Sequence, residues 1–187
     1  MLYMKKIIIL FFASLAVLAP SCDKSETMDW RTANEVWVEQ NARRFADDPN
    51  FHVTSSGLQY LVLREGLPTE RTPNSSGYVT IHYAGMLIDG HVFDSTNKVT
   101  ADLNPEKLTE QLKALAFDNL SSQLQMSGLI EGMREGLSKM RAPGQAIFFI
   151  PQNLAYGKDG ISTPGYNAYV PPYSTLIFKV ELLGCYL

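Results

Sequence analysis

Cysteine is scarce: the 187 residues contain two, Cys22 and Cys185. Two thiols cannot staple a secreted scaffold, so an ordinary core must supply stability, and neither a disulfide nor thiol chemistry is expected. The three histidines, His52, His82 and His91, form no recognisable metal cluster, and the acids of the loops occur singly, without the ligand run of a calcium loop. No metal is therefore called for. Positive charge is not in excess either. The 16 Lys and Arg face 19 Asp and Glu, for a formal net charge of −3, whereas a nucleic-acid binder would advertise a basic field. A nucleophile elbow is lacking, which removes the serine-hydrolase reading, and no internal repeat is visible. What the chain does have is 45% apolar residues, enough for one compact domain with at most a small satellite.

The first residues narrow the compartment. Lys5 and Lys6 precede an apolar run, residues 7–19, broken only by Ser14. A charged head and an apolar stretch too short to cross a bilayer comfortably describe a secretory signal. Ala19, Pro20 and Ser21 then lead to Cys22. This arrangement resembles the lipobox of bacterial lipoproteins, which implies cleavage before Cys22, lipidation of that residue, and an extracytoplasmic chain anchored in the cell envelope. In a Gram-negative host that means the periplasmic or outer-membrane side. Plain secretion with an unmodified Cys22 is the alternative.

Residues 29–46 carry Trp30, Ala33, Trp37, Ala42 and Phe45 at near-helical spacing, with Asn41 the polar exception. They predict a helix capped by Asp29 and stopped by Asp47, Asp48 and Pro49. Strands are expected at 58–63, 78–87, 91–93, 145–150 and 174–183, with Asp89-Gly90 as a turn. Between them lie two further helices. One spans 103–117, with Asn104 as cap, Pro105 in the first turn, and Leu108, Leu112 and Leu115 on one face. The other spans 129–140, with Ile130, Met133, Leu137 and Met140 on its apolar face. Gly132 and Gly136 repeat there at four-residue spacing. Each glycine costs about 1 kcal/mol of helix propensity, which close approach to a sheet would offset. Antiparallel strands around a short helix predict an α+β fold. Residues 1–21 read as signal, 22–57 as tether and helical extension, and 58–187 as the main domain, with an insertion at about 97–119. That insertion is read as a lid, a shield or a partner-binding element.

Four stretches carry a family resemblance: Val79-Thr-Ile-His-Tyr-Ala-Gly-Met-Leu through Asp89-Gly90 to Val92-Phe-Asp-Ser; Gly128-Leu-Ile-Glu-Gly-Met-Arg-Glu-Gly-Leu; Leu154-Ala-Tyr-Gly; and Val170-Pro-Pro-Tyr-Ser-Thr-Leu-Ile-Phe-Lys-Val-Glu-Leu-Leu. Residues 58–183 resemble an FKBP-type peptidyl-prolyl isomerase. The resemblance implies an antiparallel sheet half-wrapped around a central helix, and a shallow pocket for a proline side chain. Its catalytic residues would be Tyr83, Phe93, Asp94, Ile130 and Tyr156, and its substrate-binding residues Leu129, Met133, Val170 and Phe178. Unfolded, proline-containing polypeptides would be the partners. Prolyl rotation breaks no bond and needs no cofactor; it needs a site that favours the twisted amide.

The chain also departs from the family pattern. Met133 stands where the pocket floor is commonly tryptophan, a family aromatic just before the central helix is replaced near Leu120, and the 158–169 loop lacks a common histidine. Weak isomerase activity with a methionine floor is one expectation. The alternative is a binding or holdase module, which would use Leu108, Leu112 and Leu115 if they were exposed.

Overall fold

The computed structural model describes residues 28–96, 102–162 and 169–187. The signal-peptide reading and the lipidation of Cys22 fall outside the described residues. In chain order the elements are α1 (Trp30–Arg44), β1 (Phe51–Val53), β2 (Gln59–Arg64), β3 (Tyr78–Met86), β4 (Val92–Ser95), α2 (Leu108–Ala114), β5 (Ser122–Gln125), α3 (Glu131–Ser138), β6 (Gly144–Ile150), β7 (Ile161–Ser162), β8 (Tyr169–Val170) and β9 (Leu176–Tyr186). The main sheet is antiparallel in the order β1-β2-β6-β9-β3-β4. Strand β5 continues the β4 edge by pairing with residues 78–81 of β3, while β4 pairs with residues 84–86. Strands β7 and β8 form a separate two-stranded ladder. The fold is α+β, as the sequence predicts.

Side chains alternate across a strand, and here both sides are buried. Phe148, Ile150, Phe178 and Val180 join one core with Met133 and Leu137 of α3, on what we call the inner face. Ile147, Phe149 and Ile177 join a second core with Phe45, Leu108 and Leu112, on the outer face. An antiparallel sheet often leaves one face to water and then reads apolar-polar. The unbroken apolar run of β6 is the sequence trace of a sheet covered twice.

Helix α3 lies close against the inner face because of its glycines. A Cβ on Gly132 would fall 2.3 Å from Ile150 Cγ2, and one on Gly136 would fall 2.7 Å from the Phe148 ring. The outer face is closed by α1 and α2. Asp29 caps α1, accepting a hydrogen bond from the Thr32 amide at 3.1 Å. Trp37 meets Phe149 with ring centroids 5.8 Å apart, and Phe45 stacks on Phe51 at 5.3 Å. Asn41 is buried and donates from Nδ2 to Gln59 Oε1 at 2.8 Å, while Gln59 Nε2 donates to the Val38 carbonyl.

The insertion departs from expectation in two ways. Its helix is shorter than 103–117, because Pro105–Lys107 forms a 3-10 turn capped by the Asn104 side chain and α2 ends at Ala114. Its leucine face is also covered. Leu108 and Leu112 are 2% and 0% exposed and Leu115 is partly buried, so these leucines offer no client surface and the holdase argument built on them fails. The end of the insertion is tied down by polar groups. Lys179, 2% exposed on β9, donates from Nζ to the carbonyls of Lys113 and Leu115 and lies 5.4 Å over the Phe117 ring. Burial pushes its ammonium below the ordinary lysine range, with Arg64 adding to the shift and Glu181 opposing it. His82 stacks on Phe117 at 5.4 Å, and its Nδ1 lies 2.8 Å from the Leu120 carbonyl oxygen.

Candidate active site

Between α3 and the edge of the sheet opens a cleft of about 660 Å³ of atom-free space. Its walls are Ile81, Tyr83, Asp94, Leu124, Gly128, Leu129, Ile130, Met133, Tyr156 and Phe178. Strand pairing delivers the polar pair: Gly85 faces Asp94 and Ala84 faces Ser95 in the β3–β4 register, so Tyr83 comes within reach of Asp94. Its hydroxyl donates to Asp94 Oδ2 at 2.9 Å. Gly85 has a separate part. A Cβ there would lie 2.5 Å from the Phe178 ring and 2.9 Å from Phe93; without one, the two rings meet edge to face at 5.5 Å. Tyr83 leans against the same Phe178 at 6.2 Å.

The floor and far wall come from the start of α3. The helix begins at Glu131, later than 129, and Ile130 keeps an extended backbone (φ −58°, ψ 153°). That delay leaves the Leu129 and Ile130 side chains on the cleft wall. The Ile130 amide, at the helix N-terminus where no carbonyl lies one turn back, has no hydrogen-bond partner among the described residues. Met133, 4% exposed, lies in the first turn of the helix and forms the floor. Tyr156 follows the 3-10 turn Gln152–Leu154 and closes the opposite rim.

Burial is the main reason the Tyr83 phenol is held well above the ordinary tyrosine range; the Asp94 charge, the hydrogen bond to it, and Tyr156 add to the shift. Tyr156 is raised by burial first and by Asp94 second. Both hydroxyls therefore keep their protons through neutral and mildly alkaline solution; Tyr83 gives its own to Asp94, and Tyr156 keeps one to offer a ligand. With apolar walls, the protonated Tyr156 phenol and a backbone amide, the cleft can bind a compact apolar group and hydrogen-bond to carbonyl oxygens beside it.

Seven of the nine pocket residues expected from the sequence line this cleft: Tyr83, Asp94, Leu129, Ile130, Met133, Tyr156 and Phe178. Phe93 and Val170 do not. Phe93 is buried edge to face against Phe178, and Val170 is buried in β8 opposite Ile161. Ile81, Leu124 and Gly128 were missed. Leu124 is the one apolar residue of the short, polar β5, too little for the sequence to announce it. Leu120, near which the missing aromatic was expected, is 53% exposed, whereas Leu124 reaches the cleft.

Comparison with known proteins agrees with this geometry. Residues 69–183 match the family model described as FKBP-type peptidyl-prolyl cis-trans isomerase. The chain is 35% identical over 150 residues to the Escherichia coli FKBP-type peptidyl-prolyl cis-trans isomerase FkpA, covering 80% of this chain and 46% of that protein. It is 36% identical over 136 residues to the outer membrane protein MIP of Legionella longbeachae, covering 73% of this chain and 47% of that one. The chain thus spans about half the length of the curated relatives it matches. Among solved structures, the crystal structure of FkpA from Escherichia coli superposes with a TM-score of 0.62 at 30% identity, over 83% of this chain and 60% of that one. That of AtFKBP13 gives 0.52 at 25% identity, over 72% and 97%. A sheet wrapped on a glycine-bearing helix, a cleft at its edge and a family match over most of the domain lead to one conclusion: the chain belongs to the FKBP-type peptidyl-prolyl cis-trans isomerase family.

Proposed function

We propose that this chain catalyses cis-trans isomerisation of prolyl peptide bonds in unfolded, exported polypeptides at the cell envelope. The observation that carries the reading is the convergence of Tyr83, Asp94, Ile130, Met133, Tyr156 and Phe178 on one half-dry cleft. Resonance flattens the prolyl amide and sets a rotation barrier of about 18–20 kcal/mol. The planar amide is the more charge-separated form, so an apolar cleft solvates it poorly and disfavours it against the twisted one. The proline ring would rest on Met133 between Tyr83 and Phe178, with Phe93 and Val170 backing that wall. The Ile130 amide and the Tyr156 hydroxyl would each donate to a substrate carbonyl, and Asp94, which orients Tyr83, would face the twisting one. No proton changes hands; the work is differential binding.

The envelope location is part of the same proposal. The short apolar run that ends at Cys22 supports a lipid anchor, and the Legionella relative bears the name of an outer membrane protein. An intact mass of membrane-extracted protein carrying a lipidated Cys22 is expected, and an unmodified thiol at that residue would remove the anchor from the proposal.

Exchange NMR on proline peptides with varied preceding residues tests the activity, using the chain without residues 1–22. Acceleration by the folded protein is expected, with a loss of about tenfold or more in Phe93→Ala, worth roughly 1.4 kcal/mol of barrier. Folded protein that accelerates none of the peptides would sink the isomerase reading.

A further inference from the structure

We propose that Trp30 and Asn34, in the N-terminal helix, are positioning residues for Tyr156 and act through the turn at residues 171–175. The inference rests on the isomerase reading and adds residues outside the cleft to it. Helix α1 contributes no wall to the cleft, yet its first turns are bonded to a segment whose Tyr173 amide in turn holds the residue after Tyr156. Trp30 Nε1 donates to Ser174 Oγ at 3.0 Å, and that hydroxyl donates in turn to the Pro171 carbonyl at 2.7 Å. The buried Asn34 accepts from the Thr175 amide through Oδ1 at 2.7 Å and donates from Nδ2 to the Trp30 carbonyl at 2.8 Å. Asn34, Ser174 and Thr175 are 1%, 3% and 1% exposed. Hydrogen bonds this far from water are costly to leave half-made, so they fix the turn relative to the helix.

From that turn the contacts run on to the cleft. Tyr173 has φ of 63°, a left-handed conformation that a bulky residue holds only when its surroundings impose it. Two contacts flank it. Its amide donates to the Gly157 carbonyl at 2.8 Å, and the Arg31 guanidinium of α1 sits 4.8 Å over its ring. Gly157 follows Tyr156 directly. The Tyr156 carbonyl itself accepts from the Gly160 amide at 3.2 Å, and Gly160 is pressed so close to the turn that a Cβ would lie 2.3 Å from the Val170 carbonyl oxygen. The loop that carries Tyr156 is thus seated on a turn whose place is set by α1.

Double-variant kinetics test the link. Asn34→Ala is expected to lower kcat/KM about tenfold, the scale on which a small misplacement of a reacting contact acts. Asn34→Asp, which keeps an acceptor for the Thr175 amide but sets an oxygen in place of the Nδ2 that serves the Trp30 carbonyl, should recover only part of that loss. Combined with Tyr156→Phe, Asn34→Ala should cost nothing further, because the hydroxyl it positions has gone. Losses that multiply, or an unaffected Asn34→Ala enzyme, would overturn the proposal. Trp30→Phe repeats the comparison with a milder change, should Asn34→Ala fail to fold. A second readout is independent of turnover: the tyrosine ring signal that disappears in Tyr156→Phe should move in Asn34→Ala and Trp30→Phe. A stationary signal overturns the link whatever the activity. A moved signal in a protein with no isomerase activity keeps the link and removes the catalytic reading instead.

Discussion

The two faces of the sheet are made by the same strands and finished in opposite ways. Phe148 and Phe178 turn inward, Ile147, Phe149 and Ile177 outward, so each central strand serves both. On the inner face one short helix covers only part of the sheet, and the uncovered remainder is the cleft. On the outer face two helices complete the cover. The polar side chains brought there, Lys179, His82, Asn41 and Gln59, each have a named partner, and among the described residues Asn41 Oδ1 is the buried side-chain oxygen left without one. The contrast separates two uses of burial. Strand composition supplies apolar surface to both sides; the packing element alone decides whether that surface becomes rigid interior or a place for another molecule.

Leu112→Ala is the strongest probe of this division. Removing a fully buried leucine from the outer core is expected to cost about 3 kcal/mol of stability, read from a urea midpoint. The exchange rate per folded molecule should be unchanged. A rate that falls well beyond the unfolded fraction would mean the two faces are not independent. Met133→Trp sharpens the inner side. A flat, rigid floor is expected to speed prolyl exchange roughly threefold to tenfold, at most ~1.4 kcal/mol, with little change in the midpoint. An unchanged rate would show that the floor does not limit the reaction.

The smallest effect belongs to Lys179. Its folded-state pKa is depressed by burial, so the unfolded chain binds this proton more tightly. Stability should then rise with pH from the folded value up to the unfolded one near 10.4, and gain nothing from this group beyond it. Tyr83 and Tyr156 are shifted upward and oppose this only above about pH 10. Urea midpoints between pH 7 and 10 should carry a slope that Lys179→Met reduces. An identical slope in the variant would assign the pH dependence elsewhere.

The sequence was most informative where a residue's neighbours follow from local spacing. The Asp29 cap, the apolar face of α1 and the close approach of Gly132 and Gly136 all depend on helical geometry within a few residues, and each was legible. Periodicity names an apolar face but not what covers it. Leu108, Leu112 and Leu115 therefore read equally as core or as a client surface until the outer face of the sheet was seen. Short elements were harder still. Strand β1 has three residues and β5 four, two of them glutamine, so neither shows enough alternation to announce itself, and Leu124 was missed with β5. Phe93 and Val170 were assigned to the pocket by resemblance, which orders residues along the chain without showing which side chains border the open cleft.

A sheet covered on both sides has a consequence for the chain before it folds. Residues 146–150, Ala-Ile-Phe-Phe-Ile, carry no charge and no helix-breaking residue, the composition that favours intermolecular strand stacking when exposed. A strand with one wet face would carry polar residues at alternate positions; residues 146–150 have none, because both of their faces are interior. Pro143 and Pro151 bracket the run and limit how far such a stack could extend. A family that helps other chains through slow prolyl steps here includes a member whose own most hidden strand is its most hazardous one, guarded at each end by proline.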